Sequence, residues 1–573
     1  MIPIRIRRLS DEDGFAQIRT PEALLTALYA NRGLTDLDGE GRLGLGDLEP
    51  VDHLLGLERA VEVLAERIRG GGHLMIVGDY DADGATGSAL AVRGLRALGA
   101  ARVSYLVPSR FANGYGLSPA VAEAAAGLRP DLMVTVDNGI SSVSGVRRAR
   151  ELGIPVLVTD HHLPGEVLPE AEAIVNPNQV GCRFPSKHLA GVGVVFYLLA
   201  ATRRHLRDGG WFGAGRPEPN LADLLDLVAL GTVADVVTLD RNNRILVEQG
   251  LRRIRAGRCT AGVSALLRVA GRDPSRVTTA DLGFFVAPRL NAAGRLEEMS
   301  LGVECLLSDD PDHAFSIAQT LDALNRRRRE IEGEMKDQAE SLLDRLSLDG
   351  EALPPALCLF GEDWHQGVSG IVAARIRERY HRPVIAFADA GGGVLRGSGR
   401  SIDGLHLRDA IDAVDRRHPG VIERFGGHAM AAGLTIRVDV LDVFRDAFVE
   451  AVREQLGDVP PQPEIQSDGI LPPGLLTLET AEMLRLAGPW GKGFPEPKFD
   501  GPFEVLDARI VGERHLKLRL VPPGGVPVEA IGFHFGDRLE QARGRIQLAY
   551  RLDVNQYRGV RSAQLVMEYL QPA

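Results

Sequence analysis

Residues 73–84 read HLMIVGDYDADG, in which the apolar run His73–Val77 is followed at once by three alternating carboxylates. The apolar run predicts a buried β-strand, because parallel strands covered on both faces are continuously hydrophobic. Asp79, Asp81 and Asp83 then follow the carboxyl end of that strand, where open α/β sheets bind ligands. Carboxylates this close together are too costly to bury without cations. The stretch therefore predicts an α/β domain with a metal site at one edge of its sheet.

A calcium-binding loop is the alternative for this acidic segment, because such loops also open with an alternating DxDxDG pattern. Their twelfth position carries a glutamate that ligates the ion. Counted from Asp79, that position is Leu90. The segment therefore lacks the second half of a calcium loop.

The alternation of apolar runs and helical segments continues along the chain. Further apolar runs occupy Val103–Val107, Leu132–Val136 and Ile154–Val158. Strands that alternate with helices of this length predict βαβ units and a parallel sheet. Because the carboxyl ends of parallel strands meet at one edge, we expect the polar residues that follow them to gather there.

Three further segments carry candidate metal ligands. Asp137 and the DHH triplet of residues 160–162 each close a predicted strand, and Asp235 follows a helical pattern over Leu221–Leu230. Each segment alone is typical of a helix cap, a turn or surface histidines. Together they place carboxylates and two imidazoles in one crevice, a donor set without thiolate that favours Mn²⁺ or Mg²⁺ over structural zinc. We therefore predict a two-metal site of the kind that hydrolyses phosphoesters.

The composition is that of an ordinary globular chain with several domains. It has 573 residues, of which 45% are hydrophobic and 25% charged, and its net charge is −11. A chain this acidic must bind nucleic acid, if it does, through local basic surface. Its four cysteines form no CxxC pair, its N-terminus lacks an apolar signal segment, and no apolar run reaches 18 residues. These features predict a cytoplasmic protein without disulfides, zinc knuckles or a membrane anchor.

Changes in pattern divide the chain into segments. From Asp310-Pro311 to Leu346, apolar residues recur at helical spacing, which predicts a rod of roughly 54 Å that can connect two domains. A second α/β pattern follows it, and strand-like alternation with turns fills the C-terminal part. We predict an irregular N-terminal extension (1–50), a metal-binding α/β domain (51–309), a connector helix (310–346), a second α/β domain (347–458) and a small β-barrel (459–573).

These motifs resemble those of a known family. GDYDADG (78–84), VTVDNGISS (134–142), VTDHH (158–162) and LGTVADVV (230–237) are similar to the four motifs of the DHH phosphoesterase superfamily. Further segments resemble, within it, the RecJ family of bacterial 5′→3′ exonucleases specific for single-stranded DNA, and they cover nearly the whole chain: PSRFANGYGLSP (108–119), NPNQVGCRFPSKHLAGVGV (176–194), APRLNAAGRL (287–296), WHQGVSGIVAARI (364–376), GSGRS (397–401), RFGGHAMAAGL (424–434), GPWGKGFPEP (488–497) and VGERHLK (511–517). Gly87, within DGATGS (83–88), departs from the family pattern, since a hydroxyl residue is common there.

The resemblance implies a DHH catalytic domain, a DHHA1 domain in the second α/β segment and an OB fold in the barrel. It implies Asp81, Asp83, Asp137, His161 and Asp235 as metal ligands, with Asp137 bridging two ions and Asp79 ligating or lying beside them. It also implies that His162 polarises the scissile phosphate or protonates the leaving oxygen, and that Asp160 orients the imidazoles.

An exonuclease of this kind must also hold a strand by its phosphates, for which arginines and glycine-lined backbone N–H groups are suited. The candidates are Arg110, Tyr115, Arg289, Arg295, Ser369, Gly370, Ser398, Arg400, Gly427 and His428. Other interpretations stay open for part of this set. The glycine-rich segments 397–400 and 426–428 also fit ordinary tight turns, and Phe111 and Tyr115 also fit a core. Arg326–Arg329 fits a solvated helix face, and Trp364 and Trp490 are expected to be packing residues.

The function implied by the resemblance is that of a bacterial exonuclease that uses two Mn²⁺ or Mg²⁺ ions. It would degrade single-stranded DNA from a 5′ end to 5′-mononucleotides, in recombinational and mismatch repair. We expect a cytoplasmic, nucleoid-associated monomer that works with a single-strand-binding protein and a RecQ-type helicase. A small-molecule DHH phosphohydrolase is the main alternative, but such an enzyme does not need the barrel. A catalytically silent DNA-binding scaffold is the other, but here every expected metal position is filled.

Overall fold

The computed structural model describes residues 4–9, 15–36, 41–109, 116–348, 353–457 and 462–573. These residues form two compact units. The larger is built from residues 8–325 and 467–573, and the smaller from residues 1–7 and 326–466. Among the described residues, no helix combines the length and the hydropathy needed to cross a bilayer.

The strands and helices are numbered here in chain order. The strands of the described residues are β1 (Arg5–Arg8), β2 (His73–Val77), β3 (Arg102–Leu106), β4 (Leu132–Val136), β5 (Val156–Thr159), β6 (Ala173–Val175), β7 (Leu357–Gly361), β8 (Val384–Asp389), β9 (Val394–Arg400), β10 (Ile422–Gly427), β11 (Ala431–Arg437), β12 (Glu464–Ser467), β13 (Phe499–Val511), β14 (His515–Val521), β15 (Val528–Gly532), β16 (Arg545–Tyr557) and β17 (Val560–Pro572). The α-helices are α1 (Pro21–Ala30), α2 (Leu57–Arg69), α3 (Ala82–Ala97), α4 (Pro119–Ala126), α5 (Val143–Glu151), α6 (Gly191–Asp208), α7 (Leu225–Ala234), α8 (Arg241–Arg255), α9 (Ala261–Val269), α10 (Ala287–Leu296), α11 (Ser300–Leu307), α12 (Pro311–Leu348), α13 (Gln366–Tyr380), α14 (Leu407–Arg417), α15 (Leu441–Leu456) and α16 (Leu478–Leu486).

The larger unit contains the predicted parallel sheet, with strand order β3-β2-β4-β5-β6 and every neighbouring pair parallel. Successive residues of its strands face opposite sides. Leu74 and Ile76 pack in the core with α2, α3 and α6, whereas Met75 and Val77 pack with α4 and α5. Because helices cover both faces, β2 and β4 are buried along their whole length. This confirms the α/β fold with a doubly covered parallel sheet.

The strand positions differ from the prediction at β5 and β6, and β3 begins and ends one residue earlier than predicted. β5 begins at Val156 rather than Ile154, because Pro155 has no backbone N–H with which to pair. The short strand β6 was not predicted, because its three residues carry too little pattern to distinguish a strand from a loop.

Close packing of α3 on the sheet explains the unexpected Gly87, three residues after the first motif. A Cβ added at Gly87 would lie 2.6 Å from Cγ1 of Val136, the last residue of β4. A side chain at this position would therefore push α3 away from the strand. Gly87 lets the helix lie close to the end of β4, which Asp137 follows.

The C-terminal strands form a closed barrel with the order β13-β14-β15-β17-β16. The pair β15–β17 is parallel and the other neighbouring pairs are antiparallel. Such a five-stranded barrel is the architecture of an OB fold. Leu518, Ile546 and Leu565 lie in its core.

The N-terminal segment is not irregular, contrary to the expectation from its sequence. Thr20 caps α1, and Leu24 and Leu28 of this helix are buried in the barrel core together with Phe15. The sequence did not reveal this helix because it spans only ten residues and its apolar partners lie at the other end of the chain. Residues 1–3, 10–14 and 37–40 of the predicted extension (1–50) lie outside the described residues.

The smaller unit is a mixed α/β structure, as predicted. Its sheet has the order β10-β11-β9-β8-β7, in which only β7 and β8 are parallel among the described pairs. Phe387, Phe444 and Phe448 are prominent in its core with α14 and α15. Trp364 is also buried in this unit, and its indole N–H donates to Gln338 Oε1, which confirms the predicted packing role.

The predicted connector helix is α12, with 38 residues. Its first turns belong to the larger unit, where Ala314, Ala318 and Leu321 join the core around the parallel sheet. Its residues from Arg326 onwards belong to the smaller unit. The helix therefore contributes to both units, as a connector must.

Candidate metal centre

The candidate ligands lie at the carboxyl edge of the parallel sheet. Asp79 follows β2, Asp137 follows β4, and His161 follows β5 after one residue. Asp81 caps the N-terminus of α3, where its Oδ1 accepts from Gly84 N at 3.0 Å. Asp235 is the residue after α7. Topology thus brings together residues that are far apart in sequence.

The ligand-type atoms form three overlapping groups, and within each group the atoms lie within 4.8 Å of one another. Asp137 belongs to two of them, and His161 also belongs to two. The groups are Asp79 with Asp81 and Asp137, then Asp83 with His161 and Asp235, and finally Asp137 with His161 and His162. Asp137 therefore lies where a ligand shared between two ions would lie.

Asp137 and His161 are the centre of this cluster. Nε2 of His161 lies 3.1 Å from Oδ1 of Asp137 and 3.5 Å from Oδ2 of Asp235. Asp137 has a backbone φ of 62°, and Val236, next to Asp235, has a φ of 57°. A β-branched residue rarely adopts this conformation, and such strain concentrates at functional sites. The chain is therefore strained at Val236, directly after Asp235.

Asp83 is fully buried, and the N-terminus of α6 binds it. Its Oδ2 accepts from Gly191 N at 2.6 Å and its Oδ1 from Val192 N at 2.9 Å. The two N–H groups are among those that a helix leaves unbonded at its N-terminus, and the helix dipole adds to their effect. A Cβ at Gly191 would lie 2.5 Å from Cβ of Asp137. Only glycine therefore lets α6 approach both carboxylates.

Asp160 is buried and accepts hydrogen bonds from four donors. They are Ile140 N, His161 N, His162 N and the Nδ1 of His162, the last at 2.8 Å. Burial alone would raise the pKa of Asp160, but the hydrogen bond and the charge of His162, with the other donors, hold it below its usual value. Asp160 thus stays ionised and fixes the imidazole ring of His162.

The surroundings of His162 favour its protonated form. Burial opposes its charge, but the hydrogen bond to Asp160 and the nearby carboxylates of Asp235 and Asp79 raise its pKa to about 9. Its side chain is one-third exposed, at 33%. Because Nδ1 is held by Asp160, the other ring nitrogen carries the proton that can be given to a substrate.

The carboxylates repel one another strongly when no cation lies between them. Burial and the neighbouring Asp81 raise the pKa of Asp83 to about 7. Burial and neighbouring carboxylates likewise raise the pKa of Asp137 and of Asp235 well above the usual range. Oxygen and imidazole ligands packed in this way suit Mn²⁺ or Mg²⁺. The donor set therefore fits the pair of divalent ions that the sequence predicts.

Two asparagines that the sequence analysis did not single out position this edge. Nδ2 of Asn138 donates to the carbonyl oxygens of Val77 and Val136, which joins the ends of β2 and β4. Oδ1 of Asn291, on α10, accepts from Ala82 N at 2.9 Å and so caps α3 from outside. Both asparagines lie inside motifs quoted above. The sequence shows that an amide is present in each motif, but it does not show which backbone groups the amide contacts.

The candidate DNA-binding residues of the larger unit have different environments. Arg289 is buried, and its Nη2 pairs with Oδ1 of Asp322 at 2.7 Å. This contact gives Arg289 a structural role, and a DNA contact by it stays a prediction. Arg295 is half-buried near the end of α10. Arg110, Phe111 and Tyr115 lie outside the described residues.

In the smaller unit, four candidates lie together on α13 and β9. Oγ of Ser369 donates to Oγ of Ser398 at 3.1 Å, and a Cβ at Gly370 would lie 3.0 Å from Nη2 of Arg400. An arginine beside hydroxyl groups and a glycine is a suitable environment for phosphate. Their use as a phosphate site stays a prediction.

Gly427 is the last residue of β10, and His428 begins the turn to β11. Gly427 has a φ of 140°, which favours glycine, and His428 N donates to Ala431 O at 2.8 Å. These contacts fit the ordinary turn that the sequence left open. Part of the basic run on α12 is also paired, because Arg327 contacts Glu330 and Arg328 contacts Glu332.

Three family models match the chain. "DHH family, N-terminal domain" matches residues 73–232, "DHHA1 domain" matches 354–454 and "RecJ OB domain" matches 467–569. The chain is 53% identical over 570 residues to the single-stranded-DNA-specific exonuclease RecJ of Escherichia coli, covering 99% of this chain and 98% of the relative. It is 37% identical to the RecJ of Thermus thermophilus, over 87% of this chain and 68% of the relative.

Solved structures agree with this result. The RecJ of Thermus thermophilus in complex with Mn²⁺ matches with a TM-score of 0.78 and 32% identity, over 100% of this chain and 80% of that one. The same protein in complex with Mg²⁺ matches with a TM-score of 0.74 and 30% identity, over 100% and 79%. The DHH, DHHA1 and OB models match successive parts of the chain, and 53% of the aligned residues are identical to those of a relative that aligns over almost its whole length. The chain therefore belongs to the RecJ family of the DHH superfamily.

Proposed function

We propose that the chain is a metal-dependent exonuclease that degrades single-stranded DNA from its 5′ end and releases 5′-mononucleotides. The observation that carries the proposal is the gathering of every expected ligand at one sheet edge. Near-full-length similarity to relatives named as single-stranded-DNA-specific exonucleases supports the substrate. The 5′→3′ direction follows from the family resemblance.

We propose Mn²⁺ or Mg²⁺ as the cofactor, two ions to a site. Asp79 and Asp81 would hold one ion, His161 and Asp235 the other, and Asp137 would bridge them. Asp83 would complete the second set while α6 holds it in place. Such ions supply Lewis-acid activation of the phosphoryl group and of the water that attacks it.

His162 would act on the substrate directly. Its position at the exposed side of the cluster and its raised pKa suit a donor of a proton. Water would attack the phosphorus and lose a proton to solvent, the bond to the 3′ oxygen of the first nucleotide would break, and His162 would donate its proton to that oxygen. Asp160 would keep the ring oriented throughout. The shortened strand then carries a new 5′ phosphate for the next cycle.

A small-molecule phosphohydrolase of the same superfamily is the competing function. Such an enzyme would share the metal centre, but the closed five-stranded barrel has no use in it. A silent DNA-binding scaffold is disfavoured because the ligand positions are all occupied by ligand-type residues.

The cellular setting is proposed on the family resemblance. We propose a cytoplasmic protein associated with the bacterial nucleoid, acting as a monomer in recombinational and mismatch repair. Its partners would be a single-strand-binding protein and a RecQ-type helicase, which together supply single strands.

The test uses single-stranded oligonucleotides labelled at either end, with duplex controls, in Mn²⁺, in Mg²⁺ and in EDTA. Immediate release of the 5′-labelled mononucleotide from single strands only, abolished by EDTA, is the expected result. Asp137→Asn, nearly isosteric, is the inactive control. Hydrolysis of pyrophosphate or cyclic dinucleotides, without release of mononucleotides from DNA, would agree with the proposed metal centre but refute DNA as the substrate.

A further inference from the structure

Lys492 differs from the other lysines of the chain. The sequence contains only five, and all of them lie in the described residues. Four are held by carbonyl oxygens or glutamates: Lys187 by Pro177 and Cys182, Lys336 by Glu340, Lys498 by Glu568 and Lys517 by Glu529. Lys492 is exposed and has neither a hydrogen bond from its ammonium nor an ion pair with any described residue. Its ammonium group is therefore available to bind a ligand.

The backbone of Lys492 is fixed against the catalytic domain, although it belongs to the segment between α16 and the barrel. Leu239 N donates to Lys492 O at 2.7 Å. A Cβ at Gly491 would lie 2.6 Å from Cδ1 of Leu239, and one at Gly493 would lie 2.4 Å from Cγ2 of Thr238. The two flanking glycines therefore let this segment lie directly on the residues just beyond Asp235 in the chain.

Lys492 is one of the cations close enough to Asp235 to influence its pKa. Burial and the carboxylates of Asp83 and Asp81 raise the pKa of Asp235, while the cations His162 and Lys492 act in the opposite direction. The lysine is thus near the one ligand that follows α7, in agreement with the backbone contacts.

The centre is partly exposed on that side. Asp79, Asp83, Asp137 and Asp160 are at most 3% exposed, whereas the side chain of Asp235 is 23% exposed. A phosphate group can therefore reach the ligands from the edge where Asp235 and His162 are exposed.

We infer that Lys492 is a substrate-binding residue, whose ammonium contacts the phosphodiester that follows the scissile one in the DNA strand. The scissile phosphate itself would be met by the ions and by His162, so an exposed cation at the same edge suits the next charge along the strand. A lysine is a compact cation on a flexible stem, which fits a phosphate contact that must release after each cycle. This inference rests on the proposed exonuclease function.

The first test compares Lys492→Gln with the wild-type protein, on a single-stranded oligonucleotide in saturating Mn²⁺. We expect kcat/KM to fall roughly tenfold, as for loss of one exposed charge-assisted hydrogen bond. The slope of log kcat/KM against log salt should become shallower by about 0.7, since one phosphate contact to a single strand is lost. Lys492→Arg should restore most of the rate. Lys498→Gln, in the same segment but paired with Glu568, is the matched control and should leave rate and slope unchanged.

The second test locates the phosphate by neutralising single linkages with methylphosphonate. A methylphosphonate at the second linkage should slow the wild-type protein roughly tenfold and slow Lys492→Gln little further, because the contact is already lost. At the sixth linkage it should affect both proteins equally. The inference would be overturned if the methylphosphonate at the second linkage and the Lys492→Gln substitution lowered the rate by independent factors that multiply. It would also be overturned if Lys492→Gln had the wild-type rate. Either result would leave the proposed exonuclease function intact. A loss that excess Mn²⁺ restores would also overturn it, because Lys492 would then act on metal binding. Absence of DNA cleavage by the wild-type protein would refute the proposed function itself.

Discussion

Gly191 is the point at which α6 comes closest to the metal centre, and replacing it by alanine tests how the centre is held. The added Cβ would lie 2.5 Å from Cβ and 2.7 Å from Oδ1 of Asp137. Carbon atoms pack at about 3.5–4.0 Å, so Asp137 or the end of the helix must move by about 1 Å. A displacement of this size at a reacting centre costs roughly 10²-fold in rate. Movement of the helix would also weaken the two hydrogen bonds to Asp83.

The assay is single-turnover cleavage of a 5′-labelled single-stranded oligonucleotide, with Mn²⁺ affinity measured by calorimetry on the same preparations. Gly191→Ala should lose about 10²-fold in rate and bind Mn²⁺ more weakly, with an overpacking cost of about 1–3 kcal/mol in stability. Gly193→Ala is the matched control. Two residues along the same helix, its Cβ would lie closest to the side chain of Leu189, with Cδ2 at 3.1 Å. A Gly191→Ala protein with the rate and metal affinity of the control would refute close packing of α6 on Asp137.

Three further outcomes test other parts of the molecule. Asp160→Asn removes the charge that holds His162, so the single-turnover rate in saturating Mn²⁺ should fall about 10²- to 10⁴-fold. The Mn²⁺ affinity measured by titration should change little. A parallel loss of metal affinity would contradict this division of roles. In EDTA the raised pKa values of Asp83, to about 7, and of His162, to about 9, mean that the folded state binds extra protons. Stability from these groups is present at low pH and lost as the pH rises through those values, so the metal-free protein should melt higher at pH 6 than at pH 8, and a flat profile would refute it. Leu28→Ala, at a fully buried position in the barrel core, should lower the free energy of unfolding by about 2–5 kcal/mol, and a denaturant titration with an unchanged midpoint would show that α1 does not stabilise the barrel.

The sequence was sufficient to predict the parallel sheet and the set of candidate ligands, because both depend on local signals. A continuous apolar run such as Leu132–Val136 specifies a buried strand, and parallel topology then places the residues after each strand at one edge. Asp235 needed more, because no strand precedes it. It joined the set through its position after a helical pattern and through the family resemblance.

Partners at long range could not be predicted from the sequence. Arg289 has the same side chain whether it binds a phosphate or, as here, Asp322 on α12. The sequence of α1 does not indicate that Leu28 packs in the core of the barrel. Pair interactions of this kind depend on which elements pack together in three dimensions. The local pattern of one sequence does not show which elements these are.

The barrel and the catalytic domain are not separable at a boundary near residue 459. Trp490 and Phe494, from the segment before the first barrel strand, stack at 5.2 Å and are buried in the core around the parallel sheet. Phe494 also lies under the guanidinium of Arg244 on α8. In the other direction, Phe15 and α1 complete the barrel core. Removing residues 459–573 would therefore expose apolar surface on both sides and take Lys492 with it. A loss of activity on such a deletion would not measure DNA binding by the barrel, whereas point changes on its surface and at Lys492 leave both cores intact and separate the two effects.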